Sequence, residues 1–387
     1  MSAKNSSYVP ELMVPADAKT RAKFVRVKKQ ALFVVDDLFS QCEELYKIRN
    51  PRTVISGVDR SEVRQFVRSL TGSLKIPDTY GTWAWYPWSR TLVHFLPEAL
   101  HTELRTARNR NLITQEKQKQ FYQSRIGIAG LSVGNAVVAS IIHTGGAKYL
   151  SIADKDILSG SNTNRIRCGF DSLGLSKIAI IAREVYALNP YASISAFPDG
   201  LTKEIIQKFL TVPKPLQLII DEMDDLYLKI QLRVAARNMG IPVIMAADNG
   251  DGIVVDIERF DVRKDTPLMH GDIPENTLLA ITPDVSRPVA ARIISSWVRP
   301  ENIDDRMKRS LMELGKTLYT WPQLGNAAFM AGAVLSYVAR SILVGDPIRS
   351  GKFVVNPEVL FVPGFTSKQA IAKRKRLTQQ FSQAVGL

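Results

Sequence analysis

The sequence predicts an α/β protein, a doubly wound and mainly parallel sheet with a mostly helical N-terminal region. Three observations predict it. From Arg125 onward short apolar runs alternate with segments of helical periodicity, the pattern of parallel strands joined by crossover helices. The first run ends in a glycine-bearing turn, "AGLSVGNA" (129–136). The second is followed by "DKDILSGSNTNR" (154–165), where acids, amides and a guanidinium crowd together. Ligands of such sheets sit beyond the carboxyl ends of the strands, and both stretches fall there.

Taken in order, residues 17–46 carry Phe24, Val27, Ala31, Leu32, Val35, Leu38, Phe39 and Leu45 at helical spacing, and Pro51 ends the pattern. A tryptophan-rich connector, "GTWAWYPWSR" (81–90), leads to more helix through Arg110. Residues 1–110 are therefore expected to form the helical region. "RIGIAG", "KYLSIAD", "PLQLIID" and "IPVIMAAD" read as strands, and "NAVVASIIHTG", "SKIAIIAREVYAL" and "LYLKIQLRVAARNMG" as the helices between them. The main domain is expected over 111–365, followed by a basic tail over 366–387.

Composition narrows the function. Hydrophobic residues make up 45% and charged residues 23%, the balance of a soluble globular protein. No basic-then-apolar leader opens the chain, so a secretory signal is not expected, and the sparse cysteine usage points to a reducing cytoplasm. "NAAFMAGAVLSYVARSILVG" (326–345) is long enough to raise the membrane question, but Arg340 and the small residues favour a buried helix. The two cysteines, Cys42 and Cys168, form no C-x-x-C, so zinc is not expected. The net charge of +14 clusters in 19–29 and 368–376 without aromatic interleaving, so nucleic acid is not the expected partner.

Gly130, Ser132 and Gly134 lie between strand and helix, where backbone N–H groups can approach a phosphate. The turn is neither a good G-x-G-x-x-G nor a P-loop, and by itself it reads equally well as a structural βα turn. Asp154, at the end of the second strand, suits a ribose acceptor or a turn cap. Asn162, Asn164, Arg165 and Lys177 follow, and basic groups at the mouth of a parallel sheet suggest a polyphosphate clamp. Asp221, Glu222, Asp224 and Asp225 crowd the end of a later strand, which calls for positive side chains or a cation such as Mg²⁺. His270 in a loop could meet a substrate, although a structural role is the commoner one. Trp83, Trp85 and Trp88 could line a peptide groove, with packing the likelier use.

"RIGIAG…GN", "ADKD", "SNTNR", "LGLSK", "ALNP", "IIDEMDD" and "GIPVI" together resemble, in order and spacing, the E1-like (ThiF/MoeB/HesA) adenylyltransferases over about residues 105–260. The resemblance implies a Rossmann-like E1 adenylation fold and a site for ATP with Mg²⁺. It assigns Gly130 and Gly134 to the phosphate loop and Asp154 to the ribose. Asn162, Arg165 and Lys177 take the triphosphate, and Asp224 takes the metal. Arg110, or Arg108, resembles the arginine that a partner subunit contributes in dimeric members. This chain departs from the family in its short glycine loop with Ser132 and Val133. Asp225 stands where relatives carry Asn, and Lys229 where they carry Arg. The zinc-binding cysteine pairs and a downstream thioester cysteine are missing.

The departures direct the functional expectation toward cysteine-free relatives of the microcin C7 and pantocin kind. The expected activity is ATP-dependent adenylation of a carboxylate on a ribosomally made precursor peptide by a homodimer. Activation of a ubiquitin-like sulfur carrier, a non-catalytic nucleotide-binding scaffold and a dinucleotide oxidoreductase are the alternatives.

Overall fold

The computed structural model describes residues 8–386, and in it the chain divides into two compact units. Residues 1–7 and 387 of the terminal segments lie outside the described residues. The first unit comprises residues 1–122, 142–145 and 182–192, and the second the remainder.

The first unit holds the expected helices and, in addition, a four-stranded sheet. Its strands are β1 (Glu11–Met13), β2 (Phe33–Val35), β3 (Thr82–Tyr86) and β4 (Thr91–Phe95), in the order β1-β3-β4-β2. The tryptophan-rich connector is thus the β3–β4 hairpin. Trp83 is fully buried, stacks on His94 at 4.0 Å and meets Phe24 at 5.0 Å. Trp83 and Trp85 therefore build this unit's own core.

The helical pattern of 17–46 divides in two. Asp17 caps the helix Ala18–Gln30 by accepting from Thr20 N at 2.9 Å, and a second helix spans Leu38–Arg49. Between them β2 pairs in parallel with β4. Three successive apolar residues cannot share one helix face, and Val34 and Val35 are β-branched, so an edge strand is the better local solution. Beside this sheet Leu38, Cys42, Leu45, Val63 and Val67 interlock two helices at i, i+4 spacing.

The second unit is built on a seven-stranded sheet. β5 (Arg125–Ala129), β6 (Tyr149–Ala153), β7 (Ser193–Phe197), β8 (Leu218–Asp221) and β9 (Val243–Asn249) run parallel. β10 (Gly252–Glu258) is antiparallel to β9, and β11 (Gly351–Val355) is antiparallel to β10. The order is β11-β10-β9-β8-β5-β6-β7. Ile126, Ile128, Ile219, Ile220, Val243 and Ile244 are fully buried, which is why these strands read as continuous apolar runs. The chain leaves β5 toward β6 on one side and returns through β8 on the other. That reversal opens a crevice at the carboxyl ends of β5 and β8.

Two late helices complete this unit. Gly325–Leu343 is the one helix among the described residues long and apolar enough to cross a bilayer, and 61% of its apolar window is buried against protein. It packs on β9 and β10, and a Cβ at Gly332 would stand 2.6 Å from the Ala136 carbonyl oxygen. The basic tail forms the helix Lys368–Val385, whose Leu377 and Phe381 are buried. Phe381 packs with Ile303 and Met307.

Candidate functional site

The turn after β5 is fixed by two close approaches. Gly130 has φ +88°, and a Cβ there would lie 2.3 Å from the Glu222 carbonyl oxygen, so only glycine fits. Glu222 N donates to Ala129 O at 2.7 Å and Gly130 N to Ala153 O at 2.8 Å, tying the turn to the ends of β8 and β6. Gly134 serves packing, because its Cβ would meet Ile128 at 3.1 Å.

Asp154 holds the same turn. Its Oδ2 accepts from Leu131 N and its Oδ1 from Asp156 N, each at 2.7 Å. Burial raises its carboxyl pKa against the pull of Lys177 and those two N–H groups. Lys177, itself buried at the start of the helix Lys177–Leu188, lies 2.7 Å from Asp156 Oδ2 and 4.0 Å from Asp154 Oδ2. Its ammonium is thus neutralised within the site.

"SGSNTNR" forms a 3₁₀ turn over Gly160–Asn164. Asn162 belongs to a capping box there, its Oδ1 accepting from Ser159 N at 3.1 Å, so its carbonyl oxygen already serves the turn. Arg165 reaches the glycine turn, donating from Nε to Ser132 Oγ at 2.8 Å and from Nη1 to Asn164 Oδ1 at 2.9 Å. Asn164 in turn donates to Gln323 O at 2.9 Å.

The acidic cluster resolves into four separate roles. Asp221 is buried and balanced by Lys229 at 3.3 Å and by Arg233. Burial alone would raise its carboxyl pKa, but these two cations bring it below the ordinary value. Arg233 also binds Glu258 Oε2 at 2.6 Å and lies 4.8 Å from the Trp297 ring centroid. Glu222 accepts from Ala246 N at 2.9 Å, and burial pushes its carboxyl pKa well up. Asp225 caps the helix Leu226–Met239 through Leu228 N at 2.9 Å. Asp224 is exposed and lines both halves of the cleft. Lys229 and Arg233 are the positive side chains that relieve the charge at Asp221. Among the described residues no group of three or more His, Cys, Asp or Glu side chains is placed to hold a metal.

The crevice has two halves that share Ser132, Glu222, Met223 and Asp224. The β6 half, about 300 Å³, is bounded by Gly130, Asp154, Asp156, Lys177 and Leu201. The β9 half, about 350 Å³, is bounded by Arg165, Asp248, Trp297, Trp321 and Met307. The structure thus brings Gly130, Ser132, Asp154, Arg165, Lys177 and Asp224 to one crevice. Arg110 belongs to the first unit, where it is exposed and donates to Ile48 O at 3.3 Å. His270 bonds Asp256 Oδ1 at 3.1 Å, and that pairing raises its pKa although burial opposes it. Sequence reasoning missed Asp248. Its signal was a lone carboxylate closing the apolar run "IPVIMAAD".

A parallel sheet with its order reversed at β5, a glycine turn there and basic groups converging on it define a nucleotide-type α/β domain. Residues 106–281 match the ThiF family, and the chain carries a ThiF family domain. It is 35% identical over 278 residues to "Uncharacterized protein MT1398" of Mycobacterium tuberculosis, an alignment spanning 71% of this chain and 38% of that one. It is 25% identical over 163 residues to the sulfur carrier protein adenylyltransferase of Thermus thermophilus, spanning 41% and 55%. The match thus covers little more than a third to about half the length of these relatives. Among solved structures, PaaA aligns with TM-score 0.46 and 18% identity over 66% of this chain and 76% of that one. MccB of Escherichia coli with ATP aligns with 0.44 and 14% over 78% and 79%.

Proposed function

We propose that this protein uses ATP to adenylate a carboxylate, and that the carboxylate belongs to a ribosomally made precursor peptide. The observation that carries the reading is the convergence of Lys177, Arg165 and Asp224 on the Gly130–Ser132 turn, at the sheet's reversal point. In this reading the β6 half takes the nucleoside beside Asp154. A carboxylate oxygen attacks the α-phosphorus, the bond to the bridging oxygen breaks, and pyrophosphate departs with that electron pair. Lys177 exchanges its Asp156 partner for phosphate oxygens, and Arg165 stands fixed by Ser132 and Asn164. Positive groups placed in advance lower the cost of the charge that builds on the phosphoryl oxygens.

The residues fit Mg²⁺ only as an ion brought by the nucleotide. Asp224, exposed and with neither Lys177 nor a helix N–H as its partner, suits a cation that takes one or two carboxylates plus phosphate oxygens. Bound there, Mg²⁺ would neutralise part of the triphosphate charge. Asn162 has amide N–H donors to offer a phosphate while its carbonyl oxygen caps the turn. Arg110 is assigned to the active site of a second copy in a homodimer.

The cysteines support a direct use of the adenylate. Burial pushes the Cys42 thiol up to about 11, and Cys168 is partly buried. A peptide acyl group passed on without a thioester suits this better than transfer to an enzyme cysteine. The Thermus relative favours a second reading, with a small sulfur-carrier protein as the acyl substrate.

ATP–pyrophosphate exchange with acidic candidate peptides tests the proposal. Exchange is expected in the wild type, and Lys177→Ala or Asp224→Ala should each lower it by about 10²–10³-fold with the fold retained. Peptide-stimulated exchange that survives both substitutions would sink the site assignment. Saturable NAD binding without ATP binding would sink the adenylation reading.

A further inference from the structure

The β9 half of the crevice contains a carboxylate with no cation bonded to it, the side chain of Gln323 being its one neutral hydrogen-bonding neighbour. Both oxygens of Asp248 are buried, and neither has a partner at full hydrogen-bond geometry. Among the described residues no other carboxylate has both oxygens in that state. The acids beneath the crevice have partners. Asp221 has Lys229 and Arg233, Glu258 has Arg233 and Met269 N, and Asp256 has Trp297 Nε1 and His270. Burying a carboxylate without a charged partner is costly, and Asp248 lacks the cation or imidazole that Asp221, Glu258 and Asp256 each have.

The nearby cation does not fill the gap. The charge of Arg165 acts on Asp248, but its guanidinium is held toward Ser132, Ser161 and Asn164. Lys229, the other lining cation, is committed to Asp221. Asp224 lies on the same crevice and adds negative charge. Trp297, Trp321, Ile294, Met307 and Leu311 give the cavity an apolar side, with Asn249, Thr320 and Gln323 among its polar lining, around a volume of about 350 Å³, the size of a small-ligand pocket.

We propose that this cavity binds an apolar group bearing an ammonium, with Asp248 as its anchor. The ligand is an amine-bearing aromatic or aliphatic side chain, or the amine that later meets the activated carboxyl. The ammonium pairs with Asp248 and the apolar body packs on Trp297 and Trp321. The placement next to the phosphate-binding groups rests on the adenylation reading, whereas the ligand chemistry rests on the cavity itself.

Phenethylamine and 3-phenylpropionate share an aromatic body and differ in charge, so they serve as probes. Ligand-observed NMR titration of the full chain should find phenethylamine bound at least tenfold more tightly than 3-phenylpropionate. Asp248→Asn should remove that preference, and Asp248→Glu should restore part of it. Equal binding of the two probes, no binding of phenethylamine at millimolar concentration, or an undiminished preference in Asp248→Asn would each overturn the proposal. ATP binding, measured separately on the same samples, isolates the adenylation reading. Its loss in the wild type would strike that reading and leave the amine preference to be judged alone.

Discussion

On the β6 side of the crevice Asp154 accepts two backbone N–H groups and Lys177 sits against Asp156 and Asp154. On the β9 side the oxygens of Asp248 are buried with no cation bonded to them. The two halves share a rim, yet one arrives with its charges paired and the other does not. A paired site must break an internal contact when its ligand binds, so its groups are held in place beforehand. An unpaired site stores a desolvation cost that a complementary ligand relieves, and selectivity follows from that. Beneath both lies a third arrangement, in which Arg233 bridges Asp221 and Glu258 with no solvent access.

The buried bridge gives the largest effect and shows what complete pairing is worth. Arg233→Met leaves Asp221 and Glu258 buried with Lys229 as the one remaining cation, and should cost about 3–5 kcal/mol. The denaturation midpoint of the second unit reads it. Adding Asp221→Asn and Glu258→Gln should recover much of the loss, because removing all the charges removes the unpaired ones. A single variant as stable as the wild type would mean that the floor of the crevice does not depend on the bridge.

Asp248 gives the next effect, with the opposite sign. Burial raises its carboxyl from 3.8 to about 6, opposed by Arg165 and Gln323 and assisted by Asp224. The folded protein therefore holds this proton more tightly than the unfolded chain does. Between pH 3.8 and about 6 stability falls as pH rises, and above pH 6 the whole deficit is present. At about 1.4 kcal/mol per pH unit the deficit is on the order of 3 kcal/mol. Asp248→Asn should raise the urea midpoint at pH 8 and leave it nearly unchanged at pH 4. Equal midpoints for the two proteins at pH 8 would erase the contrast between the halves. Stability gained by removing a functional charge is the usual exchange at a binding site.

The legible part of the fold follows the same division. β5, β6, β8 and β9 are buried on both faces and so appear as uninterrupted apolar runs. β7, β10 and β11 lie toward or at the edges of the sheet, and the antiparallel return of β10 is a tertiary choice with no local marker. The β3–β4 hairpin was hidden because Trp83 and Trp85 suited a connector as well as a strand. Within the crevice, the glycine turn and Lys177 were legible because chain position alone puts one at a strand end and the other at a helix start. The pairing of Asp221 with Arg233, twelve residues on, and the solitude of Asp248 depend on which side chains the packing leaves over. No spacing in the sequence encodes either.

The smallest effect separates two adjacent acids. Asp225 Oδ1 accepts Leu228 N at 2.9 Å and satisfies a donor at the start of Leu226–Met239. Asp225→Ala should therefore cost about 1 kcal/mol, the ordinary value for a lost helix cap. Asp224 is exposed, and its substitution by Ala should move stability by less than about 0.5 kcal/mol. Thermal midpoints of the two variants measured side by side test the assignment. A larger loss at Asp224 than at Asp225 would mean that Asp224 holds the fold, and its assignment to a nucleotide's cation would fail. The expected order puts structural and chemical duty on neighbouring carboxylates, one aimed along the helix axis and the other into the space between the two halves.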